Sequence, residues 1–336
     1  MTSTSNLPSS PSDQSSLFRA NLAGRYRLDG LFATTTWVAI AISLMVLLVL
    51  LYNVFSDGLG NLTWTFLTSS PHPDPEKAGL MVALFGSLWV LGVVAVVSFP
   101  TGIGAGIYLE EFSQDKLLAK AVKLFCLRFF PTASWRYGLE RFVEQAESLL
   151  LQFIEININN LAGVPSLIYG LLGLQVFVRI MEPITDGRTI LSAGLTLSLM
   201  VLPIIIVSTR EALRTVPDGL RQAGFALGAN RWQVLWEQIL PLAFPGILTG
   251  TILALSRAIG DTASQLMIGA LTFVSTLPEG LRSRFVILPI QIYNWISRPQ
   301  PEFQNIAAAG IIVLLVVLLC MNATAVLLRN KFQKRI

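Results

Sequence analysis

The chain has 336 residues, 53% of them hydrophobic and 13% charged, with a mean hydropathy of +0.63 and a formal net charge of +4. A soluble domain carries about 25% charged residues, so this composition excludes an ordinary soluble fold and points to an all-α polytopic membrane protein. The absence of any Gly-Lys dipeptide rules out a G-x-x-x-x-G-K-[ST] phosphate loop and hence a self-contained ATP-driven pump.

Six stretches are long enough to cross about 30 Å of hydrocarbon, which takes roughly 20 helical residues: 31–55, 79–101, 158–180, 190–209, 246–269 and 305–328. Ahead of them, residues 1–30 form a tail whose first 18 positions, rich in Ser, Thr and Pro, read as disordered. The tail lacks the ordered parts of a removable signal peptide, so the first span is expected to stay as an anchor. That span and its outer loop make a first section, 31–78; Trp64 is expected at the interface and the lone His72 in solvent. Neither a metal site nor a cofactor is expected.

The main transmembrane section runs from 79 to 336. Its first span ends in "VSFPTGIGAGIYLEEF", where Gly102, Gly104 and Gly106 allow close helix packing. Glu110 and Glu111 read as solvated carboxylates. Residues 113–155 form an inside insert with two amphipathic patterns. In the first, Lys116, Lys120 and Lys123 suit an anionic leaflet; in the second, Glu140, Glu144 and Glu147 line a face that suits packing against protein. Asn157, Asn159 and Asn160 open the next span as interfacial or capping groups, and two readings stand for Ser166 and Tyr169: hydroxyls facing a pathway, or hydroxyls satisfied internally as is common in membrane helices. Cys126 lies in the insert and Cys320 in the last span, which gives no disulfide framework.

With both termini in the cytoplasm, seventeen basic residues fall inside and six outside, with Arg257 left in the membrane. The positive-inside rule favours that orientation. The positive charge therefore reflects topology, with no sign of a nucleic-acid partner.

The loop at 210–245 differs from the rest. Arg210, Glu211, Arg214, Asp218 and Arg221 lead into "RQAGFALGANRWQVLWEQILP", which reads as a short helix, a turn at Gly228 with positive φ, and a second short helix. Pro241 and Pro245 frame the entry to the next span. Two readings stand: a rigid knob for a partner's groove, or a hairpin lying on the membrane surface.

On a helix beginning at 246, Gly246, Gly250, Ala254, Arg257, Asp261 and Ser264 or Gln265 follow at three- or four-residue steps and are expected to share a face. A guanidinium in a span costs at least about 2.5–3.5 kcal/mol on insertion scales, so Arg257 should face protein or water. Pairing with Asp261 would lower that cost. A planar fork that matches phosphate oxygens makes Arg257 and Asp261 candidates for an anion pathway; a purely structural ion pair is the other reading.

The loop resembles the permease subunits of ABC importers, whose signature reads Glu-Ala-Ala, three residues, Gly, nine residues, Ile-any-Leu-Pro. Here it stands as Gln222-Ala223-Gly224, Gly228 and Gln238-Ile239-Leu240-Pro241, with Gln222, Gly224 and Gln238 departing from it. "IYLEEF", "INNLAGVPSLIYGLLGL", "LALSRAIGDTA" and "LPIQIYNW" are similar to the PstA-type phosphate permeases, whose usual Glu is Asp261 here. The resemblance implies a six-helix MetI-like fold and a second, PstC-type permease in the membrane lipid. It also implies an ATPase dimer on the loop and a periplasmic phosphate-binding protein outside. Companion permease, permease for another oxyanion, or a membrane scaffold or sensor are the alternatives.

Overall fold

The computed structural model describes residues 22–113, 136–269 and 274–333, and among them there is no β-strand. The chain divides into two compact units, residues 1–54 and 55–336. Helix α1 (Leu22–Gly58) accounts for the described part of the first unit. It begins nine residues before the expected span, at Leu22. The hydroxyls of Thr34, Thr35, Thr36 and Ser43 bond back to carbonyls three or four residues earlier, which satisfies them without water.

The second unit opens with α2 (Trp64–Thr68), capped by the Thr63 side chain on Phe66 N–H, and α3 (Met81–Ile107), which a wider turn extends through Tyr108–Phe112. Then come α4 (Arg136–Leu161), α5 (Ser166–Gly173), continued by a wider turn to Ile180, and α6 (Glu182–Thr185). Helix α7 (Ile190–Arg214) leads to the short α8 (Asp218–Ala226) and α9 (Arg231–Val234). Leu235–Ile239 joins α9 to α10 (Leu240–Gly260), and α11 (Ala263–Ile268), α12 (Leu288–Ile296) and α13 (Pro301–Gln333) complete the unit.

Among the described residues, five helices are long and apolar enough to cross a membrane, or six if the bent pair Gln145–Leu161 and Ser166–Ile180 is one span. That pair corrects the expected straight third span. The chain turns by 110° between its halves, where Pro165 disfavours helical geometry at the residue before it. The Tyr169 hydroxyl is satisfied internally: it donates to Leu161 O at 2.7 Å and ties the corner. The three asparagines therefore end a helix instead of opening one, and Asn157 bonds to Phe153 O. The second amphipathic pattern is continuous with this helix, and Glu147 is buried. The first pattern, the tail before Leu22 and Cys126 lie outside the described residues.

Small residues set the core spacing. A Cβ on Gly102 would lie 2.7 Å from Ile205 Cγ2, and one on Gly106 2.7 Å from Thr209 Cβ, so α3 and α7 meet along these two glycines while Gly104 faces away. Helix α10 lies against α7, with Gly246 at Ala212 and Gly250 at Ser208. Ser256 bonds to Asn322 of α13 at 2.7 Å. Trp295 and Phe303 are fully buried where α12 meets α13. In lipid the hydrophobic effect does not drive helices together, so such close contacts carry the association.

Candidate functional site

The loop after α7 folds as a helical hairpin. Pro217 starts α8, and Gly228 turns the chain at φ +83°, as its place in the sequence predicts. Asn230 then opens α9 by accepting from Gln233 N–H, while Gln233 Oε1 accepts from Asn230 N–H. Beneath the hairpin, Val234, Leu235, Ile239, Ala243 and Ile247 form a separate buried cluster with Leu213 and Val216, and Leu240 packs against it. The base is therefore fixed to α7 and α10 while the first arm and turn stand out: Gln222 and Ala223 are exposed and Leu227 is 87% exposed, and Pro241, in the first turn of α10, is also exposed. Trp232 stacks on Trp236 with centroids 6.2 Å apart and meets Phe112 at 5.3 Å. Gly224 is buried against Val234 and Gln238.

An ion-pair network holds the hairpin to the end of α3. Glu110 accepts from Arg210 Nε at 3.2 Å and from Arg214 Nε at 2.8 Å, while Arg210 reaches Glu155 of α4 at 2.6 Å. Glu111 accepts from Arg221 at 2.8 Å, and Arg221 also holds Asp218 and the Leu213 and Val216 carbonyls. Arg231 donates to the Glu111 carbonyl at 3.0 Å. The two carboxylates expected in solvent are 17% and 11% exposed. Two adjacent acids at a span end, opposite a loop with four arginines, were the signal for this pairing.

Arg257 lies in the last turn of α10, about 26 Å along the axis from Leu240 at 1.5 Å per residue. The expected shared face forms as far as Arg257: Gly246, Gly250, Ala254 and Arg257 lie at three- or four-residue steps in one continuous helix. Gly246 lies at Ala212 and Gly250 at Ser208 of α7; Gly250 and Ala254 are buried, and Arg257 is exposed in the isolated chain. Asp261 leaves the face, and Ser264 and Gln265 fall on the next helix. Arg257 does not pair with Asp261. The helix ends at Gly260, Asp261 takes an extended conformation (φ −79°, ψ 101°), and its carboxylate accepts from the Ser264 hydroxyl. Loss of helical geometry removes the four-residue reach that the pairing needs. Arg257 has no ion pair or hydrogen bond among the described residues. The helix C-terminus supplies a partial negative charge that favours the cation there. Just beyond the break, Gln265 is fully buried, and neither of its amide atoms has a hydrogen-bond partner among the described residues.

The family model for the binding-protein-dependent transport system inner membrane component matches residues 147–334, more than half of the chain. The phosphate transport system permease protein PstA of Xylella fastidiosa is 30% identical over 83% of this chain and 85% of its own length. The protein of the same name from Haemophilus influenzae is 28% identical over 85% and 88%. The probable ABC transporter permease protein YqgI of Bacillus subtilis is 26% identical over 88% and 93%.

Proposed function

The chain belongs to the binding-protein-dependent transport system inner membrane components and is a transmembrane permease subunit of an ABC importer, and from that premise we propose that it conducts inorganic phosphate. ATP hydrolysis belongs to a separate subunit of such importers. On this reading the chain sits in a bacterial inner membrane with both termini in the cytoplasm. A PstC-type permease completes the pathway, a phosphate-binding protein delivers the anion outside, and an ATPase dimer docks on 210–245.

The observation that carries the reading is Arg257: a guanidinium in a helix long enough to span, with no carboxylate partner among the described residues. A structural ion pair with Asp261 would explain its place without a ligand, and the break at Gly260 disfavours that pair. A guanidinium presents a planar fork that binds two oxygens of a phosphate at once. Asp261 and Ser264 at the break, and the unbonded amide of Gln265, supply polar groups along the same stretch. Relatives named as phosphate permeases support the choice of anion.

Docking at Gln222, Ala223, Gly224, Gly228, Leu240 and Pro241 would transmit ATPase closure through two rigid routes. One is direct, since the second arm of the hairpin runs into α10. The other passes through the Glu110 and Glu111 pairs into α3 and α7. Both bear on the helix that ends in Arg257, so the anion would meet the guanidinium in one state and be released in another.

The test is ATP-dependent uptake of labelled phosphate by vesicles that hold the ATPase, companion permease and binding protein, with and without this chain. Uptake is expected only when chain and ATP are both present. Uptake of another oxyanion but not phosphate, or phosphate uptake that persists without ATP, would overturn the reading.

A further inference from the structure

A second concentration of guanidiniums lies at the opposite end of the second unit from the docking hairpin. Helix α7 joins the two ends, with Thr189 at its start and Arg210 and Arg214 at its finish, about 37 Å apart at 1.5 Å per residue. At the Thr189 end, Arg179, Arg188, Arg282 and Arg284 line one cavity of about 520 Å³. This is a site within the size range of small-ligand pockets. Only six basic residues fall on that side under the orientation proposed above, so four of the six converge on one place. A cation-poor surface with its cations gathered is unlike a random scatter of solubilising charge.

The backbone builds the gathering. Asp186 at φ +57° and Gly187 at φ +79° reverse the chain after α6, so that Arg188 directly precedes the start of α7. The first amides of α7 then donate outward: Ile190 N–H to Ser283 O at 3.2 Å and Leu191 N–H to Leu281 O at 2.9 Å. Those bonds clip the 281–284 segment to the helix start, and the Ser283 hydroxyl accepts from two amides of the preceding turn. Arg282 and Arg284 are thereby fixed beside Arg188, although about a hundred residues separate them in the chain.

Carboxylates do not neutralise the cluster. Arg282 pairs with Asp186 at 3.4 Å, and among the described residues Arg179 bonds only to the neutral Gln175 amide, at 3.2 Å. Arg188 and Arg284 have no carboxylate partner among the described residues. With Glu182 on the wall, the lining carries four cations against two anions. The guanidinium of Arg188 also lies on Gly269, the residue that ends α11: a Cβ there would be 2.7 Å from Arg188 Nε. Gly269 is at φ +98°, so both backbone and space call for glycine. The cluster therefore touches the segment that begins at Asp261, next to Arg257.

We propose that this arginine-lined cavity is an outer hand-over site for a phosphate-class oxyanion, occupied after the binding protein releases the anion and before the anion reaches Arg257. The inference rests on the phosphate reading for the identity of the anion, but not for the site's charge chemistry. Clustered cations raise the local anion concentration and speed its capture, and two or more forks engage the oxygens of one tetrahedral anion. Contact of Arg188 with Gly269 gives the captured anion a short route to the break in the α10–α11 span.

The test uses the purified importer, with its companion permease and ATPase but no binding protein, in nanodiscs of zwitterionic lipid. Labelled orthophosphate is titrated at low ionic strength against wild type, the Arg188→Gln/Arg284→Gln double variant and the Arg188→Lys/Arg284→Lys variant. ATPase retention and ATPase rate serve as controls for folding. The site predicts saturable binding to wild type, weakened at least about tenfold in the glutamine variant, which corresponds to one lost interaction of about 1.4 kcal/mol. Partial recovery is expected with lysine, and Arg257→Gln should leave this binding in place.

Equal binding by wild type and the glutamine variant, or no binding by wild type, would overturn the site. So would a difference seen only in discs containing anionic lipid, which would make the cluster a headgroup contact. In a second arm with binding protein added to the same discs, loss of its docking by the glutamine variant without loss of anion binding would make the cluster a protein interface and likewise overturn the proposal. Arginine-dependent binding of sulfate or molybdate without phosphate keeps the site and removes the phosphate reading. Normal phosphate uptake with arginine-independent binding does the reverse.

Discussion

Gly224 and Gln238 face each other across the hairpin. A Cβ on Gly224 would lie 3.0 Å from Gln238 Oε1 and 2.8 Å from Val234 Cγ2. Both positions depart from the importer signature that the loop resembles, which has Ala and Ile there. Their contact makes the two departures one linked change: the missing methyl leaves room for the glutamine. Gly224→Ala alone should destabilise the hairpin by about 1–3 kcal/mol, the usual cost of overpacking a fitted site. Adding Gln238→Ile should recover part of that loss, giving a non-additive cycle. Thermal unfolding of the four proteins measures it; strict additivity would show that the two residues are independent.

Gly228 tests the turn separately from its packing. Nothing lies within 4 Å of a Cβ placed there, and φ is +83°, so only the backbone opposes substitution. Gly228→Ala should cost about 1–2 kcal/mol, the left-handed penalty of an L-residue. Gly228→Asn should cost less, because Asn tolerates that region. Unfolding midpoints of the two variants decide; equal losses would place the cost elsewhere.

Glu110 should matter more than an ordinary span-end carboxylate. It accepts from both Arg210 and Arg214, and the Arg210 side chain is only 9% exposed. Arg210 keeps Glu155 at 2.6 Å when Glu110 is neutralised, so Glu110→Gln should cost about 1.5–3 kcal/mol, the worth of a charge-assisted bond, lowering the unfolding temperature and loosening the hairpin. Stimulation of ATPase activity by binding protein should fall further than ATPase retention. Unchanged stimulation would remove the network from the transmission route.

Leu227 contributes exposed apolar surface at the tip of the knob and is 87% exposed. Leu227→Asp should shift stability by no more than about 0.5 kcal/mol, yet reduce ATPase co-purification about tenfold or more, because a charge would enter the docking groove. Pull-down with tagged ATPase reads the effect. Full retention would favour the hairpin as a membrane-surface element.

The sequence made the apolar spans and the hairpin legible for different physical reasons. Lipid demands long apolar helices, so their existence follows from hydropathy, and a positive-φ turn between two short amphipathic stretches points to Gly228. The bend at Ala162–Pro165 was harder to see, because Pro100, Pro203 and Pro245 sit inside helices that continue through them. The break at Asp261 was hidden by an unbroken helical pattern. Glu110 meets Arg210 across one hundred residues of chain, and only the packing of α3 on α7 brings them together. Arg188 and Arg284 are joined in the same way, by backbone bonds between distant segments.

Phosphate uptake by the reconstituted importer carrying Arg257→Gln tests the central claim most directly. With ATPase retention and binding-protein docking at wild-type levels, uptake should fall below a hundredth of wild type, since the variant removes about 3 kcal/mol or more of charge-assisted bonding to the anion. Arg257→Lys should restore only a fraction, because an ammonium keeps the charge and loses the fork. Wild-type uptake by Arg257→Gln in an intact complex would contradict the account.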